Sequence, residues 1–266
     1  HSDIRSSKEI FKQLAEAYRK IRNTARYILG NISDFNPDTD AVAPEQLTEL
    51  DKWAYGRLDE VIREAKSGYE AFDFHVAFHA VLNFCTVDMS SFYLDIIKDR
   101  LYCENKESVL RRAAQTTIYD ILTAVVRLIS PILVFTSEEI WQHMPVRAGL
   151  DKGSVFYNDM PELTGIQVAA PEKWATLAQV RSAVQKALEE KRAAKVFGKS
   201  LEAKIVLTCD GELYDVLSSM EEQLADLFIV SQVEVVKGAA ESTGEVEGLA
   251  VEALRAEGGK CERCWK

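Results

Sequence analysis

The chain predicts a mainly α protein: a helical bundle, then a small α+β module, then half of a zinc knuckle. Three observations carry that prediction. Apolar residues recur at helical spacing through most of residues 3–144. Beyond residue 200 come three strand-like runs, the first two separated by a helix. The last residues hold Cys261-Glu262-Arg263-Cys264, a Cys-x-x-Cys on a glycine-rich turn.

The first element spans Lys8 to Asn36. Ile10, Phe11, Leu14, Ala17, Tyr18, Ile21, Ala25, Ile28 and Leu29 share one sector of a helical wheel, which predicts a core-facing stripe. Lys8, Lys12, Arg19, Arg22 and Arg26 fill a neighbouring sector and make a cationic ridge. Gly30-Asn31 supplies a stop, and Ser33-Asp34 with Asn36-Pro37 supplies turn chemistry. By spacing alone the ridge reads first as a solvated face.

Pro44 suits the first turn of a second helix, with Leu47, Leu50, Trp53, Ala54, Leu58, Val61, Ile62 and Ala65 at helical spacing and a stop at Ser67-Gly68. Asp73 can cap a third, strongly apolar helix over residues 74–99, lined by Phe74, Ala77, Phe78, Val81, Leu82, Cys85, Met89, Phe92 and Ile96. Asp88 near its middle needs a partner if buried, and an arginine from a neighbouring helix is expected. His75 and His79 are four apart, but residue 76 is Val where the zinc-protease pattern has Glu, so packing or capping histidines are the better reading. After a break from Arg100 to Asn105, residues 106–130 predict a fourth helix, ended or bent by Pro131. Thr136-Ser137-Glu138-Glu139 has the form of a capping box before a short helix with Ile140 and Trp141. The bundle shows no glycine-rich phosphate loop, Ser-His-Asp set or cleft carboxylate pair, so no catalytic residue is expected.

Residues 145–171 are punctuated by glycine and proline and read as a linker along the surface. The module is expected over 172–256. Its first helix, 172–196, has an apolar stripe of Trp174, Leu177, Val180, Val184 and Leu188. Arg181, Lys186, Lys191, Arg192 and Lys195 make it cationic elsewhere, with Gly198 as the stop. Strands follow at Ala203–Cys209, Phe228–Val236 and Leu249–Ala256, with a helix from Glu212 to Ala225.

Residues 257–266 would be the truncated knuckle, with Cys261 and Cys264 as two of the four ligands zinc requires. The pair follows a strand and a double glycine rather than opening a helix, which favours zinc over a redox pair. The five cysteines otherwise lack a disulfide framework, a reducing-compartment pattern that points to the cytoplasm. The composition, 47% hydrophobic and 28% charged in 266 residues, is that of a globular protein, with no secretory signal pattern or run for a membrane span. The net charge of −10 argues against coating nucleic acid through bulk charge. The charge is segregated, however: residues 1–30 hold seven Lys/Arg against three Asp/Glu, and residues 31–60 two against eight. With no initiating Met and an unfinished cysteine motif, the chain is expected to be a piece of a longer one.

Several segments resemble one family. Ala17-Tyr18-Arg19-Lys20-Ile21-Arg22-Asn23-Thr24, Asp34-Phe35-Asn36-Pro37, Ser91-Phe92-Tyr93-Leu94-Asp95, Lys98-Asp99-Arg100-Leu101-Tyr102, Glu138-Glu139-Ile140-Trp141 and Lys260-Cys261-Glu262-Arg263-Cys264-Trp265 are similar, in order and spacing, to the C-terminal part of bacterial isoleucyl-tRNA synthetases, class I enzymes. Valyl and leucyl enzymes share the bundle but fit the tail less well. The remaining alternative is a helical interaction module with a structural or redox Cys pair.

The resemblance implies that residues 3–144 bind the anticodon arm of isoleucine tRNA and that 172–256 form the junction module. Lys12, Arg19, Arg22 and Arg26 become phosphate contacts, and Arg263 and Trp265 contacts near the loop. The parent would join isoleucine to its tRNA using ATP and magnesium in a catalytic domain this chain lacks, since both class I signatures, HIGH and KMSKS, are missing from it. The implied partners are that catalytic domain and isoleucine tRNA, with neither DNA nor a membrane.

Overall fold

Helix α1 (Lys8–Asn31) starts where the Ser7 hydroxyl accepts the amide of Ile10 at 3.2 Å, a conventional N-cap. Its apolar stripe is buried only in its second half, at Ile21, Ala25 and Ile28. Ile10, Phe11 and Leu14, expected in the core, are exposed, Phe11 by 63%. The other helices of the bundle meet α1 from about Tyr18 onward, where the Tyr18 hydroxyl lies 3.2 Å from Thr136 Oγ1. The first two turns therefore overhang the bundle.

The structure, a computed structural model, describes residues 6–242 and 246–259, and the chain divides into two units between Val168 and Ala169. In the first unit Pro44 opens a single 3-10 turn, Pro44–Gln46, rather than a helix. Helix α2 (Glu49–Glu70) begins later because Thr48 and Asp51 form a true capping box. It runs past Ser67-Gly68. Gly68 instead admits the next helix at close range: a Cβ there would lie 3.1 Å from the backbone nitrogen of Ala77 and 3.2 Å from the Asp73 carbonyl oxygen. Backbone atoms cannot yield cheaply, so Gly68→Ala is expected to cost roughly 1 kcal/mol, net of the gain in helix propensity. A raised urea midpoint would show instead that the turn can relax.

The expected third helix, 74–99, is not one α-helix. It comprises α3 (Phe74–Asn83), a π-helical stretch Phe84–Tyr93, α4 (Leu94–Ile96) and α5 (Lys98–Tyr102). The side chains explain the wide turn. Ser90 Oγ and Ser91 Oγ each donate to the carbonyl five residues back, Cys85 and Thr86, at 2.8 Å. Asp73 is the N-cap residue of α3 but makes no side-chain capping bond, and Phe74 is exposed rather than inward. Asp88 has the expected arginine partner: Arg57 of α2 donates from Nε at 3.1 Å and Nη2 at 3.3 Å.

Helix α6 (Val109–Ile129) is the most buried element, with Ile118, Tyr119, Ile121, Leu122 and Leu128 in the core. Helix α7 (Val134–His143) starts two residues before Thr136, so the expected capping box does not form. Glu138 reaches forward instead, accepting from Ser154 Oγ at 2.8 Å and the Val155 amide at 3.1 Å.

Residues 145–168 carry no long helix or strand, but they are sewn onto the first unit. Trp141 Nε1 donates to the Asp151 carbonyl at 3.1 Å, and the Thr164 amide donates to the Asp59 carboxylate at 2.7 Å. The boundary between the units falls inside the stretch read from sequence as the linker.

In the second unit, helix α8 (Pro171–Ala193) buries Trp174, Leu177, Val180, Val184 and Leu188. Arg181, expected on its solvated side, is buried and donates from Nε to the Leu227 carbonyl at 2.9 Å. A three-stranded sheet has the order β2-β1-β3, with β1 (Ala203–Cys209) parallel to β2 (Gln232–Lys237) and antiparallel to β3 (Ala250–Arg255). The alternation in β1 is real: Ala203, Ile205, Leu207 and Cys209 all face the core. The intervening helix is two, α9 (Gly211–Ser218) and α10 (Glu221–Phe228). Phe228 closes α10 rather than opening a strand, because Ile229 takes a left-handed conformation that ends the helix there. The knuckle half lies outside the described residues.

Candidate nucleic-acid interface

The ridge on α1 is set by how that helix is rotated. Thr24, on the opposite side, is buried against the π-helical stretch, its Oγ1 lying 3.1 Å from Ser90 Oγ and 3.3 Å from the Cys85 carbonyl. Together with Ile21, Ala25 and Ile28 it fixes the face that packs. Arg19, Arg22 and Arg26 are consequently exposed, about one turn apart, as is Lys12 further along the overhang. Arg19 pairs with Glu16 at 2.8 Å, an exposed contact of the kind that contributes at most about 1 kcal/mol. Among the described residues no ion pair or hydrogen bond engages the side chains of Lys12, Arg22 or Arg26. The alternative use of these arginines, neutralising Asp88 inside the bundle, is taken by Arg57. Such a row can accept several phosphates at little rearrangement cost.

The opposite arrangement holds for the arginines of α6. Arg111 and Arg112 are committed to the loop after α1: Arg111 Nη2 donates to Asp34 Oδ1 at 3.0 Å, and Arg112 Nη1 to the Asp34 carbonyl at 3.2 Å. The Arg111 hydrogen bond, with a second from Gln115 at 2.8 Å, lowers the Asp34 pKa to about 2 against the opposing effect of burial. A depressed carboxylate pKa stabilises the fold above its unfolded value, near pH 4, and that contribution is lost as pH falls toward 2. The stability gap between wild type and Asp34→Asn is therefore expected to be about 1 kcal/mol at pH 6, discounted because the carboxylate is 28% exposed, and to close between pH 4 and 2. A gap independent of pH would mean the amide loses geometry, not charge.

Helical spacing did not point to Tyr27 and Tyr102. The Tyr102 hydroxyl donates to Tyr27 Oη at 3.3 Å, and Tyr102 is exposed. Burial raises the Tyr27 pKa far above the ordinary tyrosine range. An exposed ring beside a cationic helix is the kind of surface on which unpaired bases stack. Its only sequence signal was the place of Tyr102 in one of the family-like segments.

Of the other expected site residues, Cys261, Arg263, Cys264 and Trp265 lie outside the described residues. Among the described residues there is no cluster of three or more His, Cys, Asp or Glu. His75 and His79 are both exposed, and Cys85 is buried with its thiol pushed up to about 12 by that burial. By residue type and number, Cys261 and Cys264 supply two of the four ligands a zinc site needs. No helix among the described residues is long and apolar enough to cross a membrane.

Known proteins similar to this chain share one name. Isoleucine–tRNA ligase of Syntrophotalea carbinolica is 49% identical over 99% of this chain, that of Natranaerobius thermophilus 46% and that of Desulforamulus reducens 47% over the same share. The chain spans 29% of the length of each. Residues 51–207 match the family described as the anticodon-binding domain of tRNA ligases, a segment that begins in α2 and ends in β1. With that match across more than half its length, and with relatives of one name along nearly all of it, the chain belongs to the anticodon-binding family of tRNA ligases.

Proposed function

We propose that this chain is the anticodon-recognising portion of an isoleucine–tRNA ligase and holds the anticodon stem-loop of isoleucine tRNA. The observation that carries the reading is the row of exposed, uncommitted cations on α1, Lys12, Arg22 and Arg26 with the loosely paired Arg19. The names of the relatives support the choice of amino acid. In this reading cations position the backbone, and sequence is read from splayed loop bases, with Tyr102 and the tail residues Arg263 and Trp265 as stacking or base contacts. Activation of isoleucine with ATP and magnesium belongs to the rest of the ligase, and this chain alone forms no aminoacyl-adenylate. Cys261 and Cys264 hold zinc once a second cysteine pair completes the four ligands, and the metal staples the tail rather than reacting. The working compartment is the cytoplasm.

The overhanging end of α1 fits the same picture. Ile10, Phe11 and Leu14 form an exposed apolar strip, and Phe135 at the start of α7, beside Thr136 of the Tyr18–Thr136 contact, is 91% exposed. The occupant in this reading is the catalytic part of the ligase, placed in the length of the relatives that this chain does not span. The test of the function is binding of isoleucine tRNA by the chain, against an unrelated tRNA, across a salt series. Preference for isoleucine tRNA with affinity falling steeply in salt is expected. Equal affinity for both would sink the claim of specific recognition.

A further inference from the structure

The second unit carries a separate concentration of positive charge. At the end of α8 an open cavity of about 390 Å³ is lined by Arg192, Lys195, Phe197, Gly198, Glu202 and Arg255, among others. Three cations face one carboxylate, in a chain whose net charge is −10. That carboxylate is already occupied, since Glu202 Oε2 accepts the Gly198 amide at 3.0 Å. Among the described residues no carboxylate forms an ion pair with Arg192, Lys195 or Arg255.

The backbone frame of the cavity is anchored, and the three cations on it are exposed. Arg192 Nη2 donates to Ser200 Oγ, Phe197 is buried beneath the turn, and Arg255 is held by sheet register opposite Ala203. The Ala256 amide adds a bond to the Glu202 carbonyl at 2.8 Å. Lys195 is the informative residue. It ends the helix in a left-handed conformation, φ 59°, with its amide bonded to the Arg192 carbonyl at 2.9 Å. Glycine suits this position, and Gly198, which the sequence offered as the stop, lies three residues further on. A lysine therefore occupies a strained place, and the strain is tolerated where the side chain is wanted.

We infer that this cavity binds a backbone phosphate of the tRNA, independently of the ridge on α1. The inference rests on the proposed function, because membership of an anticodon-binding family makes nucleic acid the relevant polyanion. Its chemistry is charge-assisted hydrogen bonding from two guanidiniums and an ammonium to one or two phosphodiesters.

The test uses the full chain, an isoleucine tRNA transcript and a salt series. Replacing Arg192, Lys195 and Arg255 together by Gln is expected to weaken binding roughly tenfold and to lower the log–log salt slope by about 1 to 2. Lys195→Gly is the sharper variant. It should weaken binding about threefold while leaving the melting temperature unchanged or raised, since glycine relieves the left-handed strain. A purely structural lysine would give the opposite pairing, stronger or unchanged binding with altered stability. Unchanged affinity and slope in both variants, while charge reversal on α1 weakens binding, would overturn the cavity and leave the proposed function standing. No binding by the wild type would overturn both. Inorganic phosphate is the second probe: a shift of the Gly198 amide resonance without any change in the tRNA slope would assign the cavity to a small free anion and reject the RNA contact.

Discussion

Reversing the charge of Arg19, Arg22 and Arg26 together to Glu is expected to weaken binding of isoleucine tRNA on the order of a hundredfold near 0.1 M salt. The log–log salt slope should fall by about 2 to 3, because each phosphate interaction removed takes away somewhat less than one unit. The fold should be indifferent. The three side chains are exposed, and the substitutions break only the ion pair between Arg19 and Glu16, which is solvated and contributes little. Anisotropy titration and a thermal melt on the same samples separate the readings. A lowered melting temperature with unchanged affinity would make the ridge a structural feature and would remove the observation on which the proposed function rests.

The largest effect on stability is expected at Asp51. This carboxylate is fully buried at the start of α2. It accepts the Tyr93 hydroxyl at 2.6 Å and the Thr48 hydroxyl and amide at 2.7 and 3.0 Å, with Arg100 Nη1 at 3.4 Å from both its oxygens. One group thus caps a helix, pairs a largely buried arginine and satisfies a buried phenol. Asp51→Ala leaves Tyr93 buried without its acceptor and Arg100 without its counter-charge, holding only Thr48 Oγ1 at 3.0 Å, and is expected to cost about 3 to 5 kcal/mol. Asp51→Asn keeps an acceptor but not the charge, and should cost less. A loss below about 1 kcal/mol for the alanine variant, read from the denaturation midpoint of the first unit, would show that water replaces the network.

These two sites differ in how far the sequence exposed them. The ridge was visible as spacing, because about 100° per residue places Arg19, Arg22 and Arg26 together whatever surrounds them. What spacing could not say was which apolar positions of α1 are covered: Phe11 and Ile28 belong to the same stripe, yet only Ile28 meets a neighbour. Strand β1 was legible because its alternation matches its burial residue by residue. The π-helical stretch was not, since apolar residues such as Cys85, Met89 and Tyr93 suit either winding and the decision fell to two serine hydroxyls. Capping boxes misled once and succeeded nowhere in advance. Thr136 and Glu139 have the right letters, while the box that forms uses Asp51 at a position read only as part of the second helix. The cavity on the second unit was hidden by the opposite error. Gly198 drew attention as the stop, and the strained Lys195 passed as one more cation on a helix face.

The wide winding at Phe84–Tyr93 also sets what this chain can tolerate there. A helix that completes a turn in more residues than usual stores an extra residue without lengthening the path around it. Deleting a residue without a compensating change of winding would rotate everything beyond it by about 100°. Tyr93 would swing away from Asp51, and Arg100 would leave the cap of α2. The stretch is therefore a phase adjuster: it sets the angle at which the downstream turns meet α2, and it makes the length of this segment as constrained as its chemistry.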